Sequence, residues 1–227
     1  MTGFVQRFRF KLIRKIWDEA MPISNGDPLH RYLVKRGLKL EPSPSNLRFH
    51  PNLRYAGKSH RPAMLARMES VTGTFVAIHR TFLSDQGDKA QVMFLGEPSG
   101  AAVRLYQPKD VLALGEGVET SLSFFLLSGV PAWATGSAVG LESVIIPAQI
   151  TTVFVCVDND DAGRRAASRL AQRLTDEGRK VLIADAYQML KSKKPMVVGA
   201  NRGFDFNDVL NDRGYELAND NTVQPAG

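Results

Sequence analysis

Two apolar runs, Val111-Leu112-Ala113-Leu114 and Val153-Phe154-Val155-Cys156-Val157, each break off into an acidic turn. The first turn is Gly115-Glu116-Gly117; the second is Asp158-Asn159-Asp160-Asp161-Ala162-Gly163. Helix-like and strand-like segments alternate around them. Residues 119–127 read as a helix, 132–135 as a short strand, 163–177 as a helix and 180–184 as a strand. Such alternation predicts an α/β fold, a parallel sheet with helices on both faces. The unbroken apolar runs agree, because parallel strands are buried on both sides. Carboxylates at the carboxyl ends of neighbouring parallel strands converge on one crevice. Gathered there they repel one another unless a cation lies between them, and a hard, oxygen-seeking ion such as Mg²⁺ suits them.

The chain before residue 108 reads differently. Phe4, Phe8, Leu12, Ile16 and Ala20 recur every fourth residue, which predicts an amphipathic helix over 4–20. Arg7, Arg9, Lys11, Arg14 and Lys15 make its other surface basic, either a solvated face or a strip for a phosphate backbone. A short helix over 28–36 is closed by Gly37. Residues 63–66, 74–78, 91–94 and 102–105 are strand candidates, with Ser84-Asp85-Gln86-Gly87-Asp88 as a hairpin turn. The expected division is an N-terminal helical segment (1–40), a smaller basic α+β subdomain (41–107), an α/β domain (108–212) and a frayed tail (213–227).

Charge and cysteine content narrow the class. The 29 Lys and Arg residues outnumber 23 Asp and Glu residues, giving a formal net charge of +6. A polyanionic partner fits that balance, although global charge says nothing about fold. Cys156 is the one cysteine and lies in an apolar run, so it reads as a core residue. Neither a disulfide framework nor a cysteine-rich zinc module can be built from it. No apolar stretch is long enough for a membrane span, and the basic N-terminus lacks the pattern of a signal peptide. A reducing cytoplasm is the expected location.

The acidic residues differ in how much chemistry they imply. In extended chain Asp158 and Asp160 point to one side and can face one ion, while Asn159 points away. Asp161 then reads as the cap of the following helix. Glu116, between glycines, is either a metal ligand or a general acid or base near a reacting phosphate. Glu119 falls in the first turn of a helix, where negative charge is favourable in itself. Thr120 and Ser121 offer hydroxyls for the site or for capping. Asp205, in Gly203-Phe204-Asp205-Phe206-Asn207-Asp208, is placed to complete a second metal position. Metal binding and capping remain open for Asp205 and Asp208.

A glycine-flanked glutamate, an Asp-x-Asp followed by Ala-Gly-Arg, and a later Asp-x-Asn-Asp, in that order, resemble the Toprim domain over about residues 108–212. Upstream, Leu47-Arg48-Phe49-His50-Pro51, Ile78-His79-Arg80-Thr81 and Ala102-Val103-Arg104-Leu105 resemble the segment preceding Toprim in primases of phages, plasmids and other mobile elements. The resemblance implies Glu116, Asp158 and Asp160, with Asp205, around one or two Mg²⁺ or Mn²⁺ ions. It implies Arg80, Lys89 and Arg104 in nucleotide and template binding. His50 and His79 read instead as hydrogen-bonded core histidines. The implied activity is primer synthesis from NTPs on single-stranded DNA. The alternatives are a Toprim nuclease and a non-catalytic nucleic-acid-binding module. Primases of this type usually carry a zinc-binding domain and often a helicase. With one cysteine and no G-x-x-x-x-G-K-[ST] loop, the chain reads either as an excised catalytic core or as a small protein that borrows those parts in trans.

Overall fold

The structure, a computed structural model, describes residues 2–158, 160–185, 206 and 210. Its first element is the basic amphipathic helix α1 (Thr2–Asp18), followed by α2 (Pro28–Lys35). Asp27 caps α2 by accepting the His30 N–H at 2.6 Å, and Pro28 opens the first turn, where its missing N–H costs nothing. Strands β1 (Leu47–Arg54), β2 (His60–Glu69), β3 (Phe75–Leu83) and β4 (Lys89–Gly96) follow as an antiparallel set. The turn between β3 and β4 is the hairpin expected at 84–88.

After the two-residue strand β5 (Ala102–Val103) the chain alternates. Strand β6 (Val111–Gly115) leads to α3 (Val118–Ser128), β7 (Ala132–Ala134) to α4 (Ala138–Ser143), β8 (Thr152–Val157) to α5 (Asp161–Asp176), and β9 (Lys180–Asp185) closes the set. Strands β7, β6, β8 and β9 lie side by side and parallel. The parallel sheet with helices on both faces is therefore present. Helices α4 and α5 cover one face through Leu141, Ala166, Ala167, Leu170 and Leu174; Phe124 of α3 and Phe206 pack on the other.

Two details depart from expectation. The antiparallel and parallel sets form one continuous sheet, ordered β4-β3-β2-β5-β7-β6-β8-β9, with β1 also on β2. Val103 is the junction, opposite Met68 on one side and Ala134 on the other. The second is α5, which begins at Asp161 rather than at 163: Ala162 is exposed, and Gly163 packs against the sheet. Among the described residues, no helix is long and apolar enough to cross a membrane.

Candidate active site

Strands β6 and β8 end side by side, Leu114 being the register partner of Val155. This sets the turn carrying Glu116 next to the turn carrying Asp158 and Asp160. The ends of β6 and β7 are laced together: Thr135 N–H donates to Gly115 O at 2.9 Å and Gly136 N–H to Glu116 O at 2.7 Å. Glu116 is half-buried, and its carboxyl is pushed above the usual range by burial first, then by the charges of Asp158 and Asp160. A backbone hydrogen bond from Ala138, at the start of α4, offsets part of that rise. The upward shift records first the loss of water around Glu116 and then the negative charge of its neighbours.

The second turn is held from two sides. Thr120 Oγ1 on α3 donates to Asp158 Oδ1 at 3.0 Å, and Asp160 N–H donates to Asp158 O at 2.9 Å. Asp160 Oδ1 accepts Gly163 N–H at 2.7 Å and so caps α5. The capping role expected of Asp161 therefore belongs to Asp160, one residue earlier. Asp161 lies in the first turn and pairs with Arg164 at 2.6 Å. The shift has a steric reason. A Cβ at residue 163 would sit 2.8 Å from Asp158 O, so the glycine lets α5 start directly beneath the strand end. Thr120 does not cap α3, whose N-cap Gly117 makes no side-chain bond; it is tied to Asp158 instead.

The all-oxygen donor set suits Mg²⁺ or Mn²⁺, and the raised Glu116 carboxyl marks a place where a cation lowers the energy. Among the described residues no three acidic or imidazole side chains form a ready metal cage. The oxygens of Glu116, Asp158 and Asp160 suit Mg²⁺ chemically, an ion that ordinarily keeps several of its waters. Asp205 and Asp208 lie outside the described residues.

The three basic residues expected to act together are dispersed. Lys89, at the start of β4, places Nζ 2.9 Å from Glu119 Oε1. Arg104 lies over the Trp133 ring at 4.6 Å, donates to Val71 O at 2.8 Å and to Ser70 O, and has Glu69 at 3.9 Å. Arg80 donates to Phe94 O at 2.8 Å. Strand alternation puts Arg80 with Ile78 and Phe82 on the α1 face, whereas Leu83, the partner of Lys89, packs on the α2 face.

Glu119 is the residue whose surroundings the sequence least disclosed. It is 8% exposed and bridges the two parts of the chain, accepting from Lys89 Nζ and from Tyr32 Oη of α2. Burial alone would raise its carboxyl, but the Lys89 charge and the hydrogen bonds from Tyr32 and Lys89 bring it down to about 2. The available signal was that α3, Val118-Glu119-Thr120-Ser121-Leu122-Ser123-Phe124, carries one charge in an otherwise uncharged buried helix. His79 and His50 are buried as expected. His79 stands edge-on to Phe94 at 5.2 Å, and its Nδ1 has no hydrogen-bond partner. Burial holds its imidazole down at about 4. Gly136, at φ 84°, ends β7 against this pair; a Cβ there would meet the Phe94 ring at 2.7 Å. Cys156 is fully buried, and burial pushes its thiol up.

The chain is similar to known proteins in sequence and in fold. Residues 111–216 match the Toprim domain, and residues 8–105 match a domain of unknown function, DUF7146. The chain carries a Toprim domain. Its fold is that of primase catalytic cores. The primase fragment of the bacteriophage T7 primase-helicase protein is 18% identical, with a TM-score of 0.55, over 82% of this chain and 72% of that one. A DNA primase domain from Pseudomonas aeruginosa is 15% identical, with a TM-score of 0.57, over 92% and 77%. A DnaG primase catalytic domain bound to ssDNA is 16% identical, with a TM-score of 0.57, over 94% and 78%. No curated protein matches the sequence.

Proposed function

We propose that this chain is the catalytic core of a DNA primase, making short RNA primers on single-stranded DNA by metal-dependent nucleotidyl transfer. The observation that carries the reading is the placing of Glu116 near Asp158 and Asp160 at adjacent strand ends, where burial first and then the two aspartate charges raise the Glu116 carboxyl. Phosphoryl transfer needs positioning and charge neutralisation rather than covalent help from the protein. A divalent ion, Mg²⁺ or Mn²⁺, would neutralise developing phosphate charge when bound. Glu116, Asp158 and Asp160 would hold it, with Asp205 as a further ligand. Thr120 fixes the Asp158 carboxylate by its hydrogen bond, and the α5 N-terminus fixes Asp160. Lys89, held by Glu119 at 2.9 Å, would meet a phosphate as a tethered charge. Arg80 and Arg104 are the other nucleotide- or template-binding candidates. NTPs and a DNA template in the cytoplasm complete the proposal, with a helicase and a zinc-binding module acting in trans. The division at 107/108 separates the basic subdomain from the catalytic one.

Purified chain incubated with single-stranded DNA, labelled NTPs and Mg²⁺ or Mn²⁺ should yield short oligoribonucleotides. Glu116→Gln and Asp158→Asn should each lower the yield at least a hundredfold, while template binding stays within about threefold, as expected when an interaction made in the transition state is removed. Loss of labelled DNA without primer formation would replace the reading with a nuclease. Unchanged function in both variants would leave a binding module.

A further inference from the structure

The turn that joins β7 to α4 holds Glu116 at two points. Gly136 N–H donates to Glu116 O at 2.7 Å, and the backbone N–H of Ala138 donates to the Glu116 carboxyl. Thr135 ties the same turn to Gly115 O through its N–H at 2.9 Å and its Oγ1 at 3.2 Å. Ser137 then opens α4 by accepting Gly140 N–H at 3.0 Å. Where this turn sits, Glu116 sits with it.

The turn rests on side chains from the antiparallel part of the chain. His79 of β3 and Phe94 of β4 are register partners, with rings 5.2 Å apart and inclined at 80°. A Cβ at Gly136 would lie 2.7 Å from Cε1 and Cζ of Phe94 and 3.1 Å from Cδ2 of His79. The glycine backbone is therefore packed against both rings. In the sheet, β4 and β7 are four strand steps apart, about 19 Å if the sheet were flat. The contact is thus made across the face of the sheet and not along a ladder. Arg80, on the other face, donates to Phe94 O at 2.8 Å and so steadies the strand that carries the ring.

The histidine is poorly explained as a core residue. It is 4% exposed, and its buried Nδ1 has no hydrogen-bond partner. An unpartnered buried nitrogen costs stability that an apolar side chain of similar size would not. What the ring does make is the close contact with Phe94 and Gly136.

We propose that His79 and Phe94 form the seat of the β7–α4 turn and are positioning residues for the Glu116 carboxylate. The inference rests on the reading of Glu116 as a metal ligand. It gives the antiparallel part of the chain a task in metal binding, separate from any contact with nucleotide or template. A packed seat holds a carboxylate where a turn alone would let it shift, and small displacements at a reacting centre are costly.

The test uses the full chain, isotope-labelled, with His79→Leu, Phe94→Leu, Gly136→Ala and the Phe94→Leu/Gly136→Ala pair. In excess chelator, exchange of the Gly136 amide should quicken about tenfold in both ring variants, while amides of the β8–β9 ladder keep their rates. Mn²⁺ alone is then titrated, the free ion being followed by electron paramagnetic resonance. Its affinity should fall about tenfold in both ring variants, as for one weakened hydrogen bond. His79→Leu should melt no lower than wild type, because it removes an unpaired buried nitrogen, so this loss is not a loss of fold. Gly136→Ala should also weaken Mn²⁺ binding, and adding Phe94→Leu should restore part of it by removing the ring that the new methyl meets. A wild type that neither binds Mn²⁺ nor makes primers would end the primase reading, while the exchange rates still decide the seat. Unaltered Gly136 exchange in both ring variants would overturn the proposal. So would wild-type Mn²⁺ affinity in both, the absence of any restoration in the pair, or a lower melting point with quickened β8–β9 exchange in His79→Leu.

Discussion

Glu116 and Glu119, one turn apart in sequence, are driven in opposite directions. Burial and two neighbouring aspartates raise the first, whereas Lys89 and Tyr32 overcome burial and lower the second. The difference separates a carboxylate set among like charges from one paired with a cation. It was half legible. Glycines on both sides of Glu116 mark a tight turn after a strand, but nothing local ties Glu119 to Lys89 or Tyr32, which fold brings from distant segments. The sign of the Glu119 shift gives a stability prediction. Its folded value is depressed, so its contribution is present above the ordinary value of 4.5 and is lost as pH falls toward about 2. Glu119→Gln should cost about 1–3 kcal/mol at neutral pH, since Lys89 is partly exposed and Tyr32 keeps an acceptor. The deficit should shrink steadily on acidification through that window. Urea unfolding of both proteins at several pH values checks this, and a deficit independent of pH would show that the charge contributes nothing.

At the scale of the element, α5 shows how the fold makes one side chain serve two ends. Asp160 caps the helix through Oδ1. Its second oxygen is the one the proposed function gives to the metal. Asp160→Asn should keep the cap and leave stability in chelator within about 0.5 kcal/mol, whereas Asp160→Ala should lose about 1 kcal/mol. Both should abolish the stabilisation that added Mn²⁺ gives the wild type. Thermal denaturation with and without the ion separates the cap from the ligand. The helix itself was legible from its apolar stripe, but its start was not, because Asp158, Asp160 and Asp161 are equally good caps by residue type. Strand β1 shows the converse failure. Pro51 in Leu47–Arg54 argues against a regular strand, and the structure accommodates it where the β1–β2 register shifts between His50 and Leu53. Proline is tolerated at such a bulge because no ladder hydrogen bond is asked of its nitrogen. Strand β5 falls on the candidate expected at 102–105, but only its first two residues, Ala102 and Val103, pair.

That shortest strand decides how the whole molecule behaves. The change of pattern near residue 108 was readable in the sequence, as antiparallel strand candidates gave way to strand–helix alternation. The sheet running through it was not, because sheet continuity depends on which edges pair. Val103 joins Met68 to Ala134, and the largest buried cluster crosses the same line. Leu29, Met64 and Met68 pack there with Val118, Leu122 and Ala134. Glu119 adds a polar tie across the same boundary. A shared core means that neither part can unfold without exposing apolar surface of the other, which is the physical basis of a single cooperative transition. The two tryptophans are placed to report on it. Trp17 lies on α1 against Phe75 at 5.8 Å, far along the antiparallel set, and Trp133 is in β7 with its ring N–H on Tyr106 O at 2.9 Å. In Trp17→Phe and Trp133→Phe, the remaining tryptophan fluorescence and far-ultraviolet circular dichroism should give the same urea midpoint within each variant. If Trp17 fluorescence instead changed at lower urea than Trp133 fluorescence, with dichroism following in two steps, the antiparallel set would be unfolding independently. The crevice would then be built by docking two separately stable parts rather than by one sheet.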